Sequence, residues 1–231
     1  MKKSNKKTAQ FILCLSVLFV SSFFLFYPKS SANAVQNTDI GICDISSNDA
    51  ADDIVSLVCN GILPVFEAAD GSVYFYPENA VTRELLATSL AKTTGVNVKK
   101  YSGCDLDIID VEDIEEGNLN YVKAAAYTGI IPIYTEKLGE IEILSFCPSE
   151  EVSRGNAALI FANLLEGAAS STDFGKLTDL ENASDEMKNA IEKVLGFNVM
   201  SSSDDLFRPN EPITREELAK ALCGILKHTE K

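Results

Sequence analysis

Positive charge is scarce in this chain, and the shortage argues against a nucleic-acid partner. The 231 residues hold 20 Lys and Arg against 34 Asp and Glu. Five of those bases, Lys2, Lys3, Lys6, Lys7 and Lys29, fall within the first 34 residues, leaving 20 − 5 = 15 bases against 34 acids beyond them, net −19. Nucleic-acid affinity comes from phosphates neutralised by clustered Lys and Arg, and no such cluster exists here. Histidine is nearly absent, with His228 in the tail standing alone, and no two cysteines are spaced as zinc ligands. No nucleophile, base and orienting group recur together, so the expectation is a non-enzyme without cofactor or metal. Acidity of this degree suits solubility outside the cell. It does not preclude an anionic ligand, because a few arginines converging in one groove outweigh screened long-range repulsion.

The first 34 residues read as a secretory signal peptide. Lys2, Lys3, Lys6 and Lys7 precede an uncharged apolar run from Phe11 to Tyr27, then Pro28, then Ala32, Asn33 and Ala34, which offer small residues where a signal peptidase reads. A run of seventeen residues is long for such a segment and short for a membrane span. An uncleaved anchor, the one route by which this chain would meet a membrane, is therefore the competing reading. Cys14 lacks the preceding small residues of a lipidation site. Either way the remainder is exported, and residues 35–231 suffice for one domain with a sizeable core.

What the chain does have is a pattern used three times. Phe75-Tyr76-Pro77 leads to Thr82-Arg83, Phe146-Cys147-Pro148 to Ser153-Arg154, and Phe207-Arg208-Pro209 to Thr214-Arg215, the arginine always six residues after the proline. Each copy is preceded by an amphipathic segment ending in glycine and an apolar residue: Gly61-Ile62, Gly129-Ile130 and Gly196-Phe197. An aspartate, Asp44, Asp110 or Asp179, precedes each segment in turn. The glycines lie 68 and 67 residues apart and the arginines 71 and 61, so the stretch between them is the elastic part. Periods of this length mean supersecondary units that bury their apolar faces only against one another.

Two helices are expected per unit. The first kind spans about 49–60, 120–128 and 185–195, closed by the glycine. The second opens at the hydroxyl residue, and Thr214 with Glu217 three residues on makes a capping box. Thr82 and Ser153 can cap likewise, but Leu85 and Asn156 stand where the glutamate would be. Linkers fall at 93–102 and 167–172, and alternation at Val73-Tyr74-Phe75 and Ile141-Glu142-Ile143 marks short extended pieces. The acidic run 105–116 lacks the central glycine and ligand spacing of a calcium loop and reads as solvated. Five cysteines lie beyond the signal segment. They allow two bridges at most, with pairing undetermined, and Cys223 sits among core residues.

These features resemble the S-layer homology domain family, as three consecutive repeats at 35–100, 101–169 (divergent) and 170–231. The third copy, with Phe207, Pro209, Thr214, Arg215 and Glu217, matches best. The resemblance implies a mostly α fold, three helical repeats in a pseudo-threefold arrangement with short extended segments. It further implies noncovalent attachment to anionic secondary cell-wall polysaccharide in grooves between repeats, and a place in the cell wall or on the cell surface. Residues carried over as polysaccharide contacts are Arg215, Arg83, Arg154, Thr214, Glu217, Thr82, Gly61, Gly129 and Gly196. The chain departs from the family at Leu85 and Asn156, in the loops after Gly-Ile, and in having no tryptophan, which in the family is frequent near the ligand. The alternative expectation is a module that binds other envelope proteins and has lost its sugar.

The arginines also carry a physical puzzle of their own. A cation in the first turn of a helix opposes the helix dipole by a few tenths to about 1 kcal/mol, so something should offset it. One candidate is an anionic ligand meeting guanidinium and helix amides together. The other is an ion pair to a neighbouring unit's acid, such as Asp44, Asp110 or Asp179, locking the repeats together. Arg215 leans towards ligand, Arg154 towards the ion pair, and Arg83 towards neither.

Overall fold

A computed structural model describes residues 41–167 and 177–229. The signal segment, with Cys14, and most of the 167–172 linker lie outside the described residues. In chain order the elements are α1 (Ala51–Cys59), β1 (Phe66–Glu67), β2 (Val73–Tyr74), α2 (Arg83–Thr93), the short α3 (Val98–Tyr101), a 3-10 turn (Val111–Asp113), and α4 (Leu119–Tyr127). There follow β3 (Tyr134–Leu138), β4 (Ile141–Ser145), α5 (Arg154–Leu164), α6 (Asp185–Gly196) and α7 (Arg215–Thr229). The strands form two separate antiparallel hairpins, β1 with β2 and β3 with β4. The extended pieces are thus paired sheets, and the described architecture mixes α and β rather than being helical with loose connections. The linker expected at 93–102 also contains α3.

The longer helices begin where side-chain chemistry starts them. Thr82 and Ser153 accept the Leu85 and Asn156 amides at 3.2 Å. At α7 the box is complete: Glu217 N donates to Thr214 Oγ1 (3.2 Å) and Thr214 N to Glu217 Oε2 (3.0 Å). The first-kind helices end on a left-handed residue, which lets the reversed chain return its amides to the last turn. Gly61 and Gly129 fill that position with φ of 67° and 74°. In the third segment the expectation fails. Gly196 is the last residue of α6, and the left-handed residue is Asn198, φ 54°. Val199 N then returns to Val194 O at 2.8 Å, as Ile62 N returns to Leu57 O at 2.8 Å. The match to Gly61-Ile62 is therefore Asn198-Val199, asparagine being among the few side chains that tolerate this conformation.

One continuous core joins the segments. Phe75, Phe146 and Phe207 are completely buried, each stabilising the fold by about 2–3 kcal/mol through burial. The residue after each phenylalanine, Tyr76, Cys147 or Arg208, is left-handed, with φ of 55–60°. The aspartates hold this strained turn. Asp44 accepts the Phe75 and Tyr76 amides, Asp110 those of Phe146 and Cys147, and Asp179 those of Phe207 and Arg208, at 2.6–3.1 Å. Asp110, within the acidic run, is thus a turn-holding residue.

A ring of backbone hydrogen bonds runs through the middle. Val81 N donates to Ile213 O (3.0 Å), Ile213 N to Val152 O (2.9 Å), and Val152 N to Val81 O (2.9 Å). The circuit closes on itself, each segment bonding to both others. Among the described residues no helix is long and apolar enough to cross a membrane. The five cysteines beyond the signal segment are free thiols, with Cys223 buried as expected.

Candidate functional site

The arginines at the helix starts lie at the seams between segments, and they are interior groups. Arg83, Arg154 and Arg215 are 4%, 5% and 3% exposed. Each reaches into the next segment round the ring and bonds to the same two places. Nε donates to the phenylalanine carbonyl: Arg83 to Phe146, Arg154 to Phe207 and Arg215 to Phe75, all at 2.7 Å. Nη2 donates, also at 2.7 Å, to the carbonyl three residues past the left-handed helix end: Pro132, Ser201 and Pro64 respectively. Each guanidinium also lies over the neighbour's phenylalanine ring, 4.3–5.2 Å from its centroid.

These contacts give each arginine partners that neither expectation named, while Arg154 does meet an acid of the neighbouring segment, Glu217. All three guanidinium groups share two backbone carbonyls and an aromatic face as partners, and the ion pair to Glu217 is Arg154's in addition. The amides at the helix starts are likewise committed. Glu84 N, Gly155 N and Glu216 N donate to Pro148 O, Pro209 O and Pro77 O at 2.8–3.0 Å, and the arginine amides donate to Glu150 O, Glu211 O and Asn79 O. An anion seated on those helix ends would have to displace backbone carbonyls.

Among the positions at which the three seams differ is the one five residues past the left-handed helix end. There Tyr134 lies over Arg83, its ring centroid 3.9 Å from the guanidinium carbon, and its hydroxyl oxygen accepts from Arg83 Nη1 at 2.9 Å. Burial pushes the Tyr134 hydroxyl above its ordinary pKa, with the nearby Arg83 charge opposing. Phe66 covers Arg215 in the same way at 5.1 Å. At the third seam the residue is Ser203, paired across a tight turn to Leu206 as Phe66 pairs to Tyr74 and Tyr134 to Ser145. Among the described residues no second aromatic ring covers Arg154 beyond that of Phe207.

Two adjoining clefts of about 210 and 250 Å³ open at that seam. Arg154, Ser201, Thr214 and Glu217 line both. Arg154 Nη1 donates to Glu217 Oε1, so the glutamate that completes the α7 cap also answers the arginine of the preceding segment. Lys220 and Glu216 flank one side as an ion pair, with Asn48 Nδ2 donating to Glu216 Oε2 at 2.8 Å. Burial would raise the Glu216 carboxyl, but the bonds from Lys220 and Asn48 outweigh it and hold it below the usual range. Arg208 borders the other side, donating to Ser203 Oγ at 2.7 Å.

The structure thus gathers Arg154, Thr214 and Glu217 of the expected site residues at one cleft. Arg215, Arg83, Thr82, Gly61, Gly129 and Gly196 are not among the residues lining it. Sequence reasoning missed Ser201, Ser203, Arg208 and Lys220. Alignment on Asn198 would have exposed Ser203 as the departure from the Phe66 and Tyr134 position.

The segment forming most of this cleft carries a family assignment. Residues 176–219 match the S-layer homology domain. Over that segment the chain is similar to S-layer homology domains. Such domains are binding modules, and their presence indicates association with the cell surface or cell wall. No curated protein matches the chain.

Proposed function

We propose that the protein attaches noncovalently to secondary cell-wall polysaccharide through the cleft between its second and third segments. In this reading the three segments, 35–100, 101–169 and 170–231, are three S-layer homology repeats about a pseudo-threefold axis, exported behind the signal peptide at 1–34. The closed backbone circuit of Val81, Val152 and Ile213 and the recurring arginine contacts support the repeat count. The observation that carries the site is that, among the described residues, Ser203 stands where Tyr134 and Phe66 cover the other two arginines, so that hydroxyls, carboxylates and a guanidinium edge line the two adjoining clefts. Groups of that kind suit the hydroxyls of a sugar chain, and the site acts by binding alone.

The test is sedimentation of the protein with purified walls before and after their polysaccharide is stripped. Attachment that requires the polymer supports the proposal, and attachment indifferent to stripping refutes it. A second reading, docking of another envelope protein, is favoured by exposed apolar residues at the second hairpin: Leu138 and Ile141 face each other across its tip, 60% and 61% exposed, with Ile109 beside it at 62%. Under that reading the protein would sediment with stripped walls.

A further inference from the structure

The second hairpin is longer than its counterparts in the other segments. Its base pair, Tyr134 with Ser145, matches Phe66 with Tyr74 in the first segment and Ser203 with Leu206 in the third. Between the paired residues lie 67–73 in the first segment and 204–205 in the third, but 135–144 in the second. Residues 135–142 are all exposed, so the extension adds nothing to the core. A bare two-stranded hairpin is marginally stable in water. This one nevertheless places Leu138 and Ile141 opposite each other in solvent at its tip, and contiguous exposed apolar side chains mark contact sites.

Three features define what would cover it. Leu138 with Ile141 and Glu136 with Ile143 share one face, because pairs two residues apart along a ladder point the same way. Ile109, also exposed, runs beside β4, its amide donating to Leu144 O at 3.0 Å. The outer edge of β3 is open: β3 pairs with β4, and among the described residues no other backbone bond reaches Thr135, Glu136, Lys137 or Leu138. Such an edge is a template for a further strand. Charge of one sign surrounds it. The hairpin carries Glu136, Glu140 and Glu142 against Lys137, which is already paired with Glu142 at 3.4 Å. The adjoining run 105–116 holds seven acids, and no base occurs between Lys100 and Lys123. A second copy of this chain would bring the same acids and be repelled, whereas a cationic strand would be drawn in.

We infer that the outer edge of β3 receives an extended, basic segment of another exported protein. The segment adds as a third strand, with an apolar side chain against Leu138 and a lysine or arginine beside Glu136. Main-chain bonds supply affinity, and the apolar contact with the charge selects the partner. The inference rests on the protein-docking reading of this hairpin and names the partner's chemistry, as a surface separate from the cleft at Arg154. No hairpin residue lines that cleft, so either site can fail alone.

The probes are three short synthetic peptides, one alternating lysine with valine, one lysine with serine and one glutamate with valine. Binding to the protein is followed by calorimetry and amide exchange. The expected result is that the lysine–valine peptide binds and slows exchange along residues 134–138. It should lose about tenfold or more of its affinity both in the double variant Leu138→Ser, Ile141→Ser and in Glu136→Lys. Both variants should keep their melting temperature, since the altered side chains are exposed. Equal binding of the lysine–serine peptide would reduce the effect to charge, and equal binding of the glutamate–valine peptide to apolarity; either overturns the inference. Unchanged affinity in both variants, or protection elsewhere than β3, places the contact elsewhere and overturns it, as does binding of none of the peptides. A dimer of the parent that the double serine variant abolishes would make a second copy the occupant instead. In every one of these failures, attachment to unstripped walls through the cleft is untouched.

Discussion

Replacing Arg215 by methionine separates a structural arginine from a ligand-holding one. Methionine keeps most of the aliphatic stem but removes a guanidinium that bonds Phe75 O and Pro64 O and lies over two rings, Phe66 and Phe75. Each buried carbonyl left without a donor costs about 1–3 kcal/mol. Water reaching the less enclosed Pro64 side would recover part of that, while the lost ring contacts add about 0.5–1 kcal/mol each. The sum is a destabilisation of roughly 3–5 kcal/mol, which for a domain of this size lowers Tm by about 6–20 °C. Arg215→Lys should recover only part of the loss, since one ammonium cannot reproduce the two-armed fork. Denaturant titration of both variants measures it. A stability change under about 0.5 kcal/mol, accompanied by loss of wall binding, would refute the clamp assignment and restore the anion-receptor role.

Further outcomes follow from the seams and turns. Gly155→Ala places a Cβ 2.9 Å from Pro209 O and from Met187 Sδ. The sulfur can move but the backbone carbonyl cannot, so a loss of about 1–3 kcal/mol is expected by thermal denaturation, and Met187→Ala in the same chain should not fully rescue it. Cys147→Gly releases a non-glycine residue from φ 55° and should be neutral or stabilising by up to about 1 kcal/mol in the same assay. Glu84 accepts from Asn118 Nδ2 (2.8 Å) and Glu115 N (3.1 Å). Burial raises its pKa above the ordinary value, those bonds opposing. A raised folded-state value means a contribution to stability that is full below the unfolded pKa and lost as pH rises through the folded one. The Glu84→Gln variant should therefore lose less stability than the parent as pH rises from mildly acid to neutral, and parallel stability profiles would contradict this.

Much of the scaffold is legible in the residues themselves. An arginine six residues past a proline and directly after Thr or Ser fixes the starts of α2, α5 and α7, because the hydroxyl cap is a local interaction. The first-kind helices are found to within two residues for the same reason. What local reasoning cannot supply is which segment each arginine faces. The carbonyls of Phe146, Phe207 and Phe75 become its partners only once the chain closes on itself, so sequence offers only charged partners, a ligand or a neighbouring acid, and the buried carbonyls go unseen. The third copy is misread by two residues because Gly196 looks like a helix terminator, whereas Asn198 takes the left-handed position and frees the glycine for the helix. That slip hides the equivalence of Ser203 with Phe66 and Tyr134, and with it the reason one seam is open.

Amide hydrogen exchange with and without released wall polysaccharide tests the central claim most directly, since it reports on all three seams in one experiment. Selective slowing at residues 199–217 around the open cleft, with the equivalent stretches near Pro64 and Pro132 unchanged, is the predicted result. Equal protection at all three seams, or protection confined to the Leu138–Ile141 hairpin tip, would contradict it.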